Sequence, residues 1–404
     1  MAALRTRAAG WWSGSILGRH LLVALLGLVV VVAVSESVSD FRNLQLASMA
    51  YLGIAAGGLT VLTGLNGQIS LGHGALMAIG AYTTALLLDD REASTPLPLV
   101  VLAAVVVTLV VGIAVGAAAA RLHGPYLAGA TLALAVAVPG IALYFKEQLG
   151  GEQGLRVVVP DIPTWALDLA YFVTGQDLTR SRYVAYLAWF TLIVTFVLLA
   201  NLSRSRVGRR WRAVRDDEVA AELAGVRLGR SRVSAFVVSA AAAGAAGAMM
   251  AVTVRLAAPS GFTLTLSLTL LSAVVLGGLG SLAGALIGAA LLTFLPQVVT
   301  DLGVDAGLSD IRAAELAPLV YGVVMVLVVL LAPAGIVGTV RGAVLRRRGR
   351  SAPPAATTTG AAADPTTSTS TSTSTDAGPD PGASPGTSTD PDSTATTTSK
   401  GSTT

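Results

Sequence analysis

The sequence predicts an all-α protein, a polytopic membrane helical bundle of about ten spans with a disordered C-terminal tail. Three observations predict it. The 404 residues are 53% hydrophobic and only 12% charged, with a mean hydropathy of +0.71. A soluble domain carries about a quarter charged residues. Long stretches lack ionised groups altogether, and one of them, Leu97–Ala120, is long enough to cross a hydrocarbon core of about 30 Å. The Arg residues, finally, are bunched rather than spread. Nine of them fall with four acids between Ser203 and Arg232.

Hydropathy places spans near 21–38, 44–63, 69–88, 97–120, 126–145, 183–201, 233–252, 264–280, 282–299 and 316–333. The first follows Arg5, Arg7 and Arg19 and ends near Ala33-Val34-Ser35, which also fits a signal peptide. An uncleaved span is preferred because the loop charges need it for parity. The pair around Ser281 reads either as two crossings or as a re-entrant hairpin, since Gly277-Gly278-Leu279-Gly280 leaves almost no loop.

Charge orients the bundle. With both termini inside, the cytoplasmic segments hold eighteen Arg residues, among them the nine of the insert and Arg341, Arg346, Arg347, Arg348 and Arg350, and the tail adds Lys400. The outer segments hold eight, together with acids such as Asp89, Asp90, Glu92 and Asp301. This is the asymmetry that the positive-inside rule describes. The excess of +4 lies near membrane ends, so it reports topology and not nucleic acid binding. The outer segment 146–182 contains an apolar stretch, Leu167–Thr174, too short to span and suited to the interface. From Ser351 onward Thr, Ser, Ala, Pro, Gly and Asp predominate, and such a segment cannot bury enough surface to fold. Small residues recur at fourfold spacing (Gly53 and Gly57, Gly112 and Gly116, then Gly280, Gly284 and Gly288). They suit close helix packing, or alternatively a helix that slides during transport.

Several chemistries are excluded or disfavoured. Cysteine is absent, so there is no disulfide framework and no thiolate metal site. His20, His73 and His123 are scattered, which disfavours a His-rich metal site. A P-loop needs a Lys after a Gly-rich turn; the two lysines, Lys146 and Lys400, follow none. No catalytic constellation is visible. The spans read as free of acids, so the coupling carboxylate of a secondary transporter is missing. Energy is therefore expected from another polypeptide.

The insert supplies a place for one. It reads as polar all round and outside lipid. Asp216, Asp217 and Glu218 set acids at a helix N-terminus. Val219–Ala224 continues the helix, and Gly225 ends it at C′. This predicts one helix of two to three turns with Arg215 just before it. The helix docks a soluble motor, with Ala221 on the docking surface, or else the segment is a solvated loop that only sets orientation. Asn66, Gln68, Ser70 and His73 cluster among glycines where spans two and three meet. They either hydrogen-bond the backbone of a helix junction or line a translocation route. His73 reads as structural rather than as a proton shuttle. Gly277, Gly278 and Gly280 form a hinge or a tight inner turn.

A family resemblance rests on these same residues. Ala220, Ala221 and Gly225 have the spacing of the coupling loop of ATP-binding cassette importer permeases. The family's Glu is displaced to Glu218, with Val219 in its slot, and the downstream Pro of the wider motif is absent. Gly64 through Thr83, Arg121–Tyr126 with Thr131-Leu132-Ala133, Ala235–Ala240 with Gly244 and Gly247, and Val275–Gly284 resemble the branched-chain amino acid permease family, LivM-type, over roughly residues 40–335.

Charge and composition place a cytoplasmic N-terminus at 1–20, a permease domain at 21–340 with an external loop at 146–182, and the tail at 351–404, outside the resemblance; the resemblance makes 203–232 the coupling loop. It implies a permease half in the plasma membrane that pairs with a second permease subunit, two cytoplasmic ATPase subunits and an external substrate-binding protein. ATP is then hydrolysed by the partners, and this chain needs no cofactor. The substrate expected is a branched-chain or other small hydrophobic amino acid. A permease for urea or short amides uses the same scaffold and stays open at this stage, as does a stand-alone channel or secondary carrier. A membrane enzyme is disfavoured.

Overall fold

The computed structural model describes residues 16–89, 95–122, 125–332 and 334–350. The sequence features at Arg5, Arg7, Asp90, Glu92, His123 and the whole tail from Ser351 lie outside the described residues. The helices are α1 (Ile16–Ser37), α2 (Asp40–Leu59), α3 (His73–Leu87), α4 (Leu97–Ala119), α5 (Pro125–Tyr144), α6 (Lys146–Leu149), α7 (Thr164–Thr174) and α8 (Arg180–Arg204). They continue with α9 (Arg206–Asp216), α10 (Glu218–Leu223), α11 (Leu228–Val254), α12 (Leu264–Gly277), α13 (Leu282–Asp305), α14 (Asp310–Leu331) and α15 (Gly335–Arg350). Two short strands, β1 (Leu155–Arg156) and β2 (Leu256–Ala257), pair antiparallel.

Among the described residues, nine helical segments are long and apolar enough to cross a membrane. The tenth expected span departs from the prediction. α3 begins at His73, not near 69, and has 15 residues. At 1.5 Å per residue it is about 22 Å long, short of a hydrocarbon core of about 30 Å. The third crossing is therefore a broken one. α2 widens into a π-helical turn at Thr60–Leu65. Asn66 caps this turn, and the chain is then non-helical over residues 67–72 before α3 starts. Gly67, with φ of +79°, makes the turn that a residue with a Cβ would resist.

The two ends of the bundle are distinct. At one end lie the Arg-rich helix α9, the short helix α10 that follows it, the end of the π-helical turn, the 278–281 turn between α12 and α13, and the start of α15. Arg215 reaches the Gly64 carbonyl there, and Gly335 abuts Gly278. At the other end the Val158 amide donates to the Leu88 carbonyl beside the β1–β2 pair. α12 and α13 are separate helices of 14 and 24 residues. α15 was not foreseen as a helix; its start packs back against α12 and α13.

α11 is the centre of the bundle and packs against α4, α3 and α2. The packing depends on small residues. A Cβ on Gly247 would lie 1.9 Å from the Met77 carbonyl oxygen, and one on Gly80 would lie 2.4 Å from that of Gly244. Gly112 meets Ala240, while Gly53 and Gly57 receive Leu192 and Phe196 of α8. Each fourfold pair thus sits at a tight contact, as association without a hydrophobic driving force requires. α7 buries only Ala166 among its residues and exposes Trp165, Leu169, Tyr171 and Phe172.

One expectation about charge is corrected. Glu36 lies within the first span, in the last turn of α1. It escapes the cost of an isolated charge because it is paired. Arg182 donates to it at 3.0 Å and the Tyr186 hydroxyl at 2.5 Å. Its negative charge is therefore compensated, unlike that of a free coupling carboxylate.

Candidate functional site

The insert folds as two helices, not one. Ser205 caps α9 by accepting from the Val207 amide at 3.1 Å. α9 is not polar all round. Gly208, Trp211 and Val214 recur on one face and are buried, while Arg206, Arg209 and Arg210 are exposed. The Trp211 indole donates to Ser234 of α11 at 2.9 Å, which pins α9 to the bundle. The chain breaks at Asp217, which is extended, and whose carboxylate accepts from the Ala220 amide at 3.0 Å. Two of the three predicted acids therefore serve α10, Asp217 as its cap and Glu218 in its first turn, as the macrodipole favours, while Asp216 instead ends α9.

α10 has six residues, fewer than two full turns. It stops in a Schellman arrangement. The Gly225 amide donates to Glu222 at 2.9 Å and the Val226 amide to Ala221 at 3.0 Å, with Gly225 at φ of +83°. Ala221 is 4% exposed and faces the chain's own bundle, which corrects its expected place on the outer surface. The outward apolar residues are Val219, 69% exposed, and Leu223, 84% exposed. Ala220 and Asp216 are exposed too. Beside α10 a groove of about 460 Å3 is lined by Arg210, Trp211, Arg227 and Arg230, among others. An apolar groove of about 480 Å3 lies elsewhere, between α4, α8 and α11, and contains none of the predicted site residues.

Two arginine contacts join the insert to the bundle, one an ion pair and the other a hydrogen bond to a backbone carbonyl. Arg232, 5% exposed, donates to both carboxylate oxygens of Glu218 at 2.7 Å each. Arg215 donates to the Gly64 carbonyl at 2.7 Å and is held by Asp216, whose oxygen takes two of its N–H groups.

The polar cluster after α2 is buried throughout, at Asn66, Gln68, Ser70 and His73. Its hydrogen bonds serve the break. The Gln68 amide donates to Leu62 at 3.1 Å, and the Thr63 hydroxyl donates to the Gln68 carbonyl at 3.0 Å. The Gln68 side chain bonds Asn66 and donates to the Arg232 carbonyl at 3.3 Å. Asn66 donates to Ser231 at 3.4 Å. Farther along, the Leu71 amide donates to Thr131 at 3.0 Å and the Gly74 amide to Ser267 at 2.9 Å. The His73 ring lies beside Gly58 in the interior. The Ser70 hydroxyl finds no protein partner.

The structure brings the second glycine group to the same place. A Cβ on Gly64 would lie 2.2 Å from the Gly280 nitrogen, so the π-helical turn ends directly on the Gly277-Gly278-Leu279-Gly280 turn. Gly278 and Gly280 have φ of +115° and +81°. All the predicted site residues except Ser70 and His73, which lie farther along the break, thus gather at or near the Arg-rich end. Sequence reasoning missed the roles of Ser231, Arg232, Thr131 and Ser267. The signal for three of them was a polar side chain within or at the edge of an apolar span.

Residues 44–329 match the family model described as a branched-chain amino acid transport system permease component. The chain is 32% identical over 338 residues to the high-affinity branched-chain amino acid transport system permease protein LivM of Escherichia coli, covering 79% of this chain and 75% of that one. It is 31% identical over 334 residues to LivM of Salmonella typhimurium, covering 78% and 75%. Identity to the permease protein BraD of Pseudomonas aeruginosa is 28% over 288 residues, or 70% and 89% of the two chains. No solved structure matches the chain. The apolar helices, the broken third crossing and these matches agree: this multi-pass membrane protein belongs to the family of branched-chain amino acid transport permeases.

Proposed function

We propose that this chain is one permease half of an ATP-binding cassette importer that moves branched-chain or other small hydrophobic amino acids across the plasma membrane. It works beside a second permease subunit. Two cytoplasmic ATPase subunits bind and hydrolyse the ATP, an external binding protein delivers the substrate, and this chain carries no cofactor and no catalytic site of its own. The Arg-rich end faces the cytoplasm, as the positive-inside rule favours, with both termini on that side.

The observation that carries the reading is α10. It is a short capped helix that turns Val219 and Leu223 outward among arginines at the end of the bundle. Exposed apolar residues ringed by charge mark a surface for a protein partner. The substrate class rests on the relatives, which are branched-chain amino acid transport permeases by name.

The test is reconstitution of the complete complex in vesicles. Leucine, isoleucine or valine uptake is expected to require ATP and the binding protein, and to survive collapse of the proton gradient. Uptake by this chain alone on an imposed ion gradient would refute the architecture. ATP-driven uptake of urea but not of leucine would refute the substrate.

A further inference from the structure

We propose that ATPase docking on α10 acts on the break at residues 67–72, and that Arg232 and Arg215 are the positioning residues that carry the displacement there. The inference rests on the function proposed above and goes beyond it in naming the element that moves.

α10 is a small element with a large exposed face, so its polar connections decide where a push on it goes. Glu218, its first residue, is gripped by both N–H···O contacts of Arg232 at 2.7 Å. Arg232 is buried, and its own backbone carbonyl accepts from Gln68. The neighbouring Ser231 accepts from Asn66. Gln68 lies in the break and Asn66 at its edge. The second route starts in the last turn of α9. Arg215 bonds the Gly64 carbonyl at 2.7 Å and lies over Gly67, where a Cβ would stand 3.0 Å from its Cγ. Gly64 and Gly67 bracket the start of the break.

The two ends of these routes differ in stiffness. α2 and α3 are held in the core by glycine contacts with no spare room, as at Gly80 and Gly247. Beyond the cap at Asn66, residues 67–72 have no helical ladder to resist displacement. Locally weak segments are the ones that move. Charge-assisted bonds of good geometry are the strong connections, so the displacement follows the arginines into the segment that gives.

The test uses the complete reconstituted complex. Ile69, 51% exposed and within the break, is changed to Cys as a reporter in a chain with no other cysteine. Its reaction with a small thiol reagent is compared with and without vanadate-trapped nucleotide, and uptake per ATP hydrolysed is measured in parallel. With native Glu218 the labelling rate should differ between states by at least about fivefold, the lower end of an allosteric coupling. Glu218→Gln should keep its ATPase subunits and hydrolyse ATP, yet lose that difference and most of the uptake per ATP. Exchanging the charges, Glu218→Arg with Arg232→Glu, should recover part of both. Arg215→Met tests the second route by the same readouts.

State-independent labelling in the native background would overturn the inference, and so would Glu218→Gln with native coupling. Loss of the ATPase subunits from Glu218→Gln would assign Glu218 to assembly and overturn transmission while leaving the function intact. A native complex that transports without any ATPase subunit would refute the function itself, and this inference with it.

Discussion

Gly247→Ala is the sharpest test of how the core is held. Its Cβ would lie 1.9 Å from the Met77 carbonyl oxygen and 2.7 Å from the Met77 carbonyl carbon. Ordinary contact begins near 3.4 Å, so α11 and α3 would have to part by about 1.5 Å at this point. Neither side can yield alone. The obstructing atoms are backbone, and α11 is packed on α4 and α2 as well. Overpacking of this kind costs about 1–3 kcal/mol. For a domain of a few hundred residues each kcal/mol moves Tm by about 2–4 °C. A fall of several degrees is expected when the purified protein is melted in mild detergent and followed by loss of the monodisperse peak on size exclusion. The control is Gly322→Ala on α14, where a new Cβ meets nothing within 4 Å. That variant should melt at or slightly above the native temperature, because Ala is the better helix former by about 1 kcal/mol. Equal stability of Gly247→Ala and the native chain would show that α3 and α11 are not in contact through Met77 and Gly247.

Gly225→Pro should abolish ATP-dependent uptake while leaving the protein in the membrane, because proline cannot adopt φ of +83° and removes the amide that bonds Glu222; normal uptake would place docking elsewhere. Leu223→Cys should be shielded from an impermeant reagent in intact cells and Gln176→Cys labelled, both sites being exposed on the protein; the reverse pattern would invert the topology. Truncation after Arg350 should preserve assembly and transport, since the sequence beyond it has no core-forming pattern; a large loss of uptake at normal expression would make the tail a functional element.

The sequence by itself determined the class of the protein and the ends of its elements. Long uncharged stretches leave a backbone in lipid no choice but helix, and nine of the expected spans are present as such. The cap at Asp217 and the stop at Gly225 were legible because capping chemistry is local. So was the excess of Arg at one end.

What local chemistry cannot express was decided by tertiary structure. Hydropathy treats residues 69–72 as part of a span, because it does not see that Thr131 and Ser267 stand ready to bond Leu71 and Gly74 across the break. Periodicity within the insert could not place Trp211 and Ala221 inward, since that depends on where α11 lies. Glu36 stands inside a span that reads as free of acids, and its charge is met only by Arg182, 146 positions along. Gly64 and Gly280 are separate motifs in the chain and a single contact in space. Each is a relation between distant residues, settled by packing.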